Sequence, residues 1–221
     1  MSTARNAILD TLRRQLKRGV EAAARHEVQQ RLAQPPQHTI PQRSLLPRDE
    51  QIELFVRMAE QADAGVQRLS QSAAIPAAVA EFMRRRQFPA ELVMAPDPEL
   101  LNLPWGEQPQ LQTRAGAAGA DDKVCLSLAF AGIAETGTLM LLSGPHSPTT
   151  LNFLPDAHIV VLTAERIVGP YEAAWQRLRA QAGGMPRTVN LITGPSRSAD
   201  IEQTLQLGAH GPIHLHIILI D

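Results

Sequence analysis

This sequence predicts an α/β domain with a mainly parallel sheet and a helical N-terminal extension, on three observations. Between residues 123 and 221, short apolar runs recur at intervals, as in strands buried on both faces. Amphipathic stretches with helical spacing separate several of them, and strands alternating with helices favour a parallel sheet covered on both sides. Aromatic residues make up only 4% of the chain, so Leu, Ile, Val and Ala must build the core. A length of 221 residues suits one large domain better than two.

From Ser2, a candidate N-cap, the residues Ile8, Leu9, Leu12, Leu16 and Val20 keep helical spacing and predict an amphipathic helix running toward Leu32. Four prolines between residues 34 and 47 remove donors and disfavour helix, which predicts an extended linker. Residues 1–47 are therefore expected to form a helix plus linker, and residues 48–221 the α/β body. Ile52, Phe55, Val56, Ala59 and Ala62 predict a helix ending at Gly65, followed by a strand from Val66 to Leu69. Pro76 suits the first turn of a helix carrying Phe82 and Met83, Pro89 ends it, and Leu92, Val93 and Met94 read as a buried strand. Residues 95–122 have few periodic apolar positions and are expected to form a long surface loop.

Strands are predicted at Val124–Leu128, Thr138–Leu142, His158–Leu162, Val189–Ile192 and Leu215–Ile220. Helices are predicted over Pro170–Gln181, with Tyr171, Trp175 and Leu178 as its core stripe, and over Ser198–Leu207, with Ile201 and Leu205.

Formal net charge is −1, so no global field favours nucleic acid or an anionic membrane, and neither is an expected partner. Residues 1–34 hold seven basic residues against three acids, which reads as a solvated helix face or as an arm for an acidic partner. Cys125 is the single cysteine, so no internal disulfide and no self-contained thiolate cluster is expected, and any cofactor would be bound without cysteine. No metal site is expected either, since the histidines lack helix-paired spacing and His214 with His216 lacks a third ligand. No apolar run approaches the ~18 residues of a membrane span, and the expected location is the cytoplasm.

Ligands of open parallel sheets bind beyond the carboxyl ends of the strands, which directs attention to three polar loops. Residues 132–138 place Glu135, Thr136 and Thr138 around Gly137, a residue that permits close approach of a ligand to the backbone. Residues 143–150 offer Ser143 and His146. Residues 193–200 run from Gly194 through Ser196 and Arg197 to Ser198 and Asp200; if a helix begins there, its N-terminus and Arg197 would suit a small carboxylate or phosphate, or the hydroxyls merely cap it. Asp200 would steady Arg197 or complement the helix dipole. His210, between Ala209 and Gly211, is a candidate acid or base near neutral pH, or a residue bonding the backbone.

These strings also carry a resemblance. Gly-Ile-Ala-Glu-Thr-Gly-Thr at 132–138, Leu-Pro at 154–155 before the His158 strand, Gly-Pro-Ser-Arg-Ser-Ala-Asp-Ile-Glu at 194–202 and the Gly-Ala-His-Gly-Pro segment at 208–212 resemble the lactate-utilisation (LUD, LutC/YkgG) family in order and spacing. The family usually has Thr where Ser198 stands, and its loop after position 145 is often Gly-rich, whereas His146 and Pro148 occur here. The resemblance implies a three-layer fold similar to NagB, ribose-phosphate isomerase (RpiA) and CoA-transferases. It also implies a role as the cluster-free subunit, beside two iron–sulfur proteins, of a system that oxidises L-lactate to pyruvate. No catalytic residue is settled by the family. By analogy with the glutamate of CoA-transferases, Glu135 is the candidate base or nucleophile, with a structural cap as its other reading. A stand-alone enzyme acting on a small anion through Glu135, and a ligand-sensing module, are the alternatives.

Overall fold

The computed structural model describes residues 2–15, 22–35, 39–181, 184–199, 205–207 and 210–221. The chain divides into two units, Met1–Thr39 and Ile40–Asp221. The first contains α1 (Ser2–Gln15) and α2 (Ala22–Ala33). Residues 16–21, through which the sequence predicts a continuous helix, lie outside the described residues.

The second unit contains, in order, α3 (Arg48–Gln61), β1 (Gly65–Leu69), α4 (Ile75–Arg85), β2 (Glu91–Met94), α5 (Pro98–Leu101), β3 (Gln112–Ala115), β4 (Val124–Leu128), β5 (Ala131–Ile133) and β6 (Thr138–Leu142). It continues through β7 (Ala157–Thr163), β8 (Ile167–Val168), α6 (Tyr171–Arg179), β9 (Val189–Ile192), β10 (Arg197–Ala199), β11 (Leu205–Leu207) and β12 (His214–Ile220). The end of the proline-rich segment is part of this body: Ser44 is buried, and Leu46 packs beside α3.

Six strands form one parallel sheet in the order β1-β12-β7-β4-β2-β3. Its centre is the apolar text of β4, β7 and β12, which the sequence marks plainly. One face packs on α4 through Ile75, Val79 and Met83. The other packs on α3 through Leu54, Phe55 and Ala59, and on Leu139, Leu141 and Ile167 of a second sheet. That sheet has the order β8-β5-β6-β9, and α6 closes its far side with Ala174, Tyr171 and Trp175.

Three expectations are corrected here. Thr138–Leu142 and Val189–Ile192 do not join the parallel sheet; β6 pairs antiparallel with β5 on one side and with β9 on the other. Only residues 134–137 separate β5 from β6, and a parallel return needs a crossover of a dozen residues or more. Residues 95–122 are not one loop, because they hold α5, a 3₁₀ turn at Trp105–Glu107 and the edge strand β3. All four β3 residues are exposed, so burial wrote no apolar run there. The helix expected over Ser198–Leu207 is absent from its described ends: Arg197–Ala199 pairs antiparallel with Leu205–Leu207. Two apolar positions four apart, Ile201 and Leu205, are too few to fix a period.

Candidate functional site

The β5–β6 turn is fastened before it can serve anything else. Ala134 N–H donates to Val168 O at 2.8 Å and Glu135 N–H to Gly169 O at 3.0 Å. Gly137 has φ +67°, and a Cβ there would collide with the α3 backbone at Met58 and Ala59. The close approach that this glycine permits is made by α3 and not by a ligand. Glu135 is 9% exposed, and its Oε2 accepts the Tyr171 N–H at 3.5 Å, the first amide of α6. A carboxylate at a helix N-terminus complements the dipole.

Beside it lies a cluster of four hydroxyls. Thr138 Oγ1 is 2.6 Å from Thr136 Oγ1, 2.9 Å from the Tyr171 hydroxyl and 2.6 Å from Thr193 Oγ1. One hydroxyl donates once and accepts twice, so buried Thr138 is saturated by its neighbours. Thr193 carries the cluster to the surface of a cleft of about 230 Å³.

That cleft is walled by residues 193–196 and 210–212, and floored by Asn152, His158 and Leu215. Gly194 turns at φ +71° where a Cβ would strike Ala62 O at the end of α3. Ser196 N–H donates to Pro212 O at 2.8 Å, and Ser196 Oγ accepts the His210 N–H at 3.4 Å, which ties the two wall segments together. His158 and Leu215 stand at the amino ends of β7 and β12, so the cleft lies at the end opposite the one expected.

The other candidates disperse. Arg197 pairs with Asp63 just past α3, both half-exposed, and no helix dipole reinforces it because residues 197–199 are a strand. Ser198 lies in β10, and Asp200 lies outside the described residues. Ser143 Oγ accepts the Thr188 N–H at 2.8 Å at the far end of the β6–β9 pair, away from Thr138 and Thr193. The structure thus brings Gly194, Ser196 and His210 into one cleft, links Thr136 and Thr138 to its edge, and leaves Ser143 out.

Sequence reasoning overlooked the floor. His158 is 1% exposed, its Nε2 sits 2.6 Å from Ser127 Oγ, and burial holds its pKa down at about 3, so the ring is neutral. Its Nδ1 and the Oδ1 of Asn152 are buried without a hydrogen-bond partner among the described residues. Two such atoms in one floor demand an explanation, and a small guest or water with both donor and acceptor capacity supplies one. The available signal was a histidine inside an otherwise apolar strand, where an imidazole is costly unless it has a task.

Cys125 is buried and donates to Leu151 O at 2.8 Å, and burial raises its thiol pKa well above the ordinary value. His214 packs against Phe88 and His216 against Phe82. Among the described residues no helix is long and apolar enough to cross a membrane.

A sequence model of the LUD domain matches residues 52–220, which includes the whole parallel sheet and both walls of the cleft. The chain belongs to the LUD domain family. Over 89 residues it is 44% identical to an uncharacterised protein of Neisseria meningitidis serogroup B, covering 40% of this chain and 38% of that one. It is similar to lactate utilization protein C of Macrococcus caseolyticus, 37% over 92 residues, covering 40% of each chain. The protein of the same name from Geobacillus sp. is 38% identical over 91 residues, covering 40% of this chain and 38% of that one. The match therefore spans about two fifths of the length of these relatives. The crystal structure of a DUF162 family protein from Deinococcus radiodurans superposes with a TM-score of 0.60 at 22% identity, covering 80% of this chain and 99% of that chain. At that identity the likeness speaks for the LUD fold.

Proposed function

We propose that this LUD protein serves lactate utilisation, as the cytoplasmic, cluster-free subunit of a system that oxidises L-lactate to pyruvate. Its partners are the iron–sulfur subunits of that system. The observation that carries the reading is the family membership over residues 52–220, together with relatives that bear the name lactate utilization protein C. The chemistry of the chain is consistent with that division of labour. Its single thiol is buried within β4 and held protonated, whereas a cluster needs several thiolates, so electrons would leave through partners. The cleft floored by His158 and Asn152 is the proposed place for a small carboxylate or phosphate ligand, with Ser196 and His210 at its wall. Gly194 is part of that wall, and Thr136 and Thr138 support it through the Thr193 hydroxyl.

A deletion strain of the source, complemented with this gene, tests the reading. Restored growth on L-lactate, with unchanged growth on pyruvate, is the expected result. Equal growth of the deletion strain and its parent on L-lactate overturns it.

A further inference from the structure

We propose that the crevice between the carboxyl ends of β2 and β4 is a second ligand site, for a small hydroxylated organic anion. It is separate from the cleft at His158 and does not depend on the lactate reading.

The topology marks the place. In the order β1-β12-β7-β4-β2-β3, β2 is followed in sequence by β3 on its outer side. The next strand of the parallel sheet after β4 is β7, on its inner side. The connections leaving these adjacent strands diverge, and a divergence of this kind opens a crevice beyond the strand ends where open α/β sheets bind ligands. A cavity of about 300 Å³ occupies it. Asp97 enters it from the segment after β2, Ala129 and Phe130 from the segment after β4, and Arg166 from the turn after β7.

Two guanidinium groups line the crevice. Arg166 is held in position, donating through Nη1 to Ala129 O at 3.1 Å and through Nη2 to Glu99 Oε1 at 2.6 Å. Its side chain is only 22% exposed and paired with Glu99, so it is not a free surface charge. Arg177 of α6 donates to Glu165 O at 3.3 Å and lies over the Phe130 ring, 5.6 Å from its centre. Among the described residues Arg177 has no carboxylate in an ion pair, whereas Arg166 has Glu99. A ring face on one side and a backbone carbonyl at one nitrogen leave the remaining donors of Arg177 for a planar anion.

The ligand class follows from the remaining lining. Asp97 uses one oxygen to accept the Glu99 N–H at 2.9 Å, and Ser147 contributes a hydroxyl. An anion without donors would meet the Asp97 carboxylate unfavourably, whereas a hydroxylated one can donate to it while its head group occupies Arg177. The head group is a carboxylate or a phosphate, since both present paired oxygens to a guanidinium.

The test is binding to the full chain, by calorimetry, of L-lactate, D-glycerate, ribose 5-phosphate and inorganic phosphate. Wild-type protein is expected to bind at least one hydroxylated probe, and R177Q to weaken it about tenfold or more. R85Q, which removes an exposed charge from α4, is the control expected to bind normally. Because R177Q also removes a stacking contact, the wild-type chain is treated in parallel with phenylglyoxal, and modification of Arg177 is followed by peptide mass spectrometry. The bound probe is expected to protect it. Preference for carboxylates or for ribose 5-phosphate identifies the head group. Binding of none of the probes overturns the proposal, and so does binding that neither R177Q nor Arg177 modification affects, or binding of inorganic phosphate alone. Growth on L-lactate is read separately, so the two proposals fail independently.

Discussion

The imidazole of His158 meets the hydroxyl of Ser127 at 2.6 Å, with both side chains sealed between the parallel sheet and the layer that covers it. Among the described residues Ser127 has this one side-chain partner; if the hydroxyl donates to Nε2, Nδ1–H is left as a donor in the floor of the cleft. Ser127→Ala removes that partner and strands a second ring nitrogen. A stability loss on the order of 1–3 kcal/mol in urea unfolding is expected, the usual cost of an unsatisfied buried group. A loss under about 0.5 kcal/mol would show that the pair carries no weight.

Acid should unfold the protein through its buried histidines. Burial lowers His158 from 6.5 to about 3, and burial with the neighbouring Arg86 lowers His216 to about 4. The unfolded chain binds these protons first, so stability is complete above the unfolded value of 6.5 and falls as pH drops toward the folded values. Denaturation midpoints measured from neutral pH to about pH 4 should decline, with a total loss on the order of several kcal/mol. A flat profile across that window contradicts the neutral, buried assignment.

Gly137 leaves no room for a methyl group. Gly137→Ala combines a positive φ with a collision against the α3 backbone, and it should cost at least about 2 kcal/mol or abolish soluble expression. Gly184, also at positive φ but with open space where a methyl group would sit, is the comparison: Gly184→Ala should cost about 1 kcal/mol. Equal effects at both sites would show that α3 does not press on the turn.

Glu135→Gln separates structure from chemistry. Its carboxylate reaches the first amide of α6, so the amide variant should lose about 0.5–1 kcal/mol of stability and still restore growth of a deletion strain on L-lactate. Abolished growth with an intact thermal transition would instead make Glu135 a reacting group.

The parts of this fold that were legible are those where burial dictates composition. β4, β7 and β12 are covered on both faces and are mostly apolar, and their text has no other economical reading. β3 was illegible because an exposed edge strand needs no particular residues. The antiparallel pairing of β5 and β6 was hidden behind an apolar run like those of the parallel sheet, although the four-residue spacing between Ile133 and Thr138 encoded it. Within the site, Gly194, Ser196 and His210 were recognisable as polar loop residues in glycine turns. In the sequence His158 is one more histidine without metal-ligand spacing; what makes it noteworthy, burial with a nitrogen unpaired among the described residues, emerges when the strands are assembled. Gly137 looked like room for a ligand because a sequence does not show which backbone will take the space.

The central claim is tested most directly by affinity capture of the tagged full chain from its source grown on L-lactate, with iron content and lactate-dependent dye reduction assayed on the eluate. Iron-containing partners, and an activity that the purified chain alone lacks, are the predicted result. Capture of the chain without iron and without lactate-dependent reduction would contradict its place as the cluster-free subunit of a lactate-oxidising system.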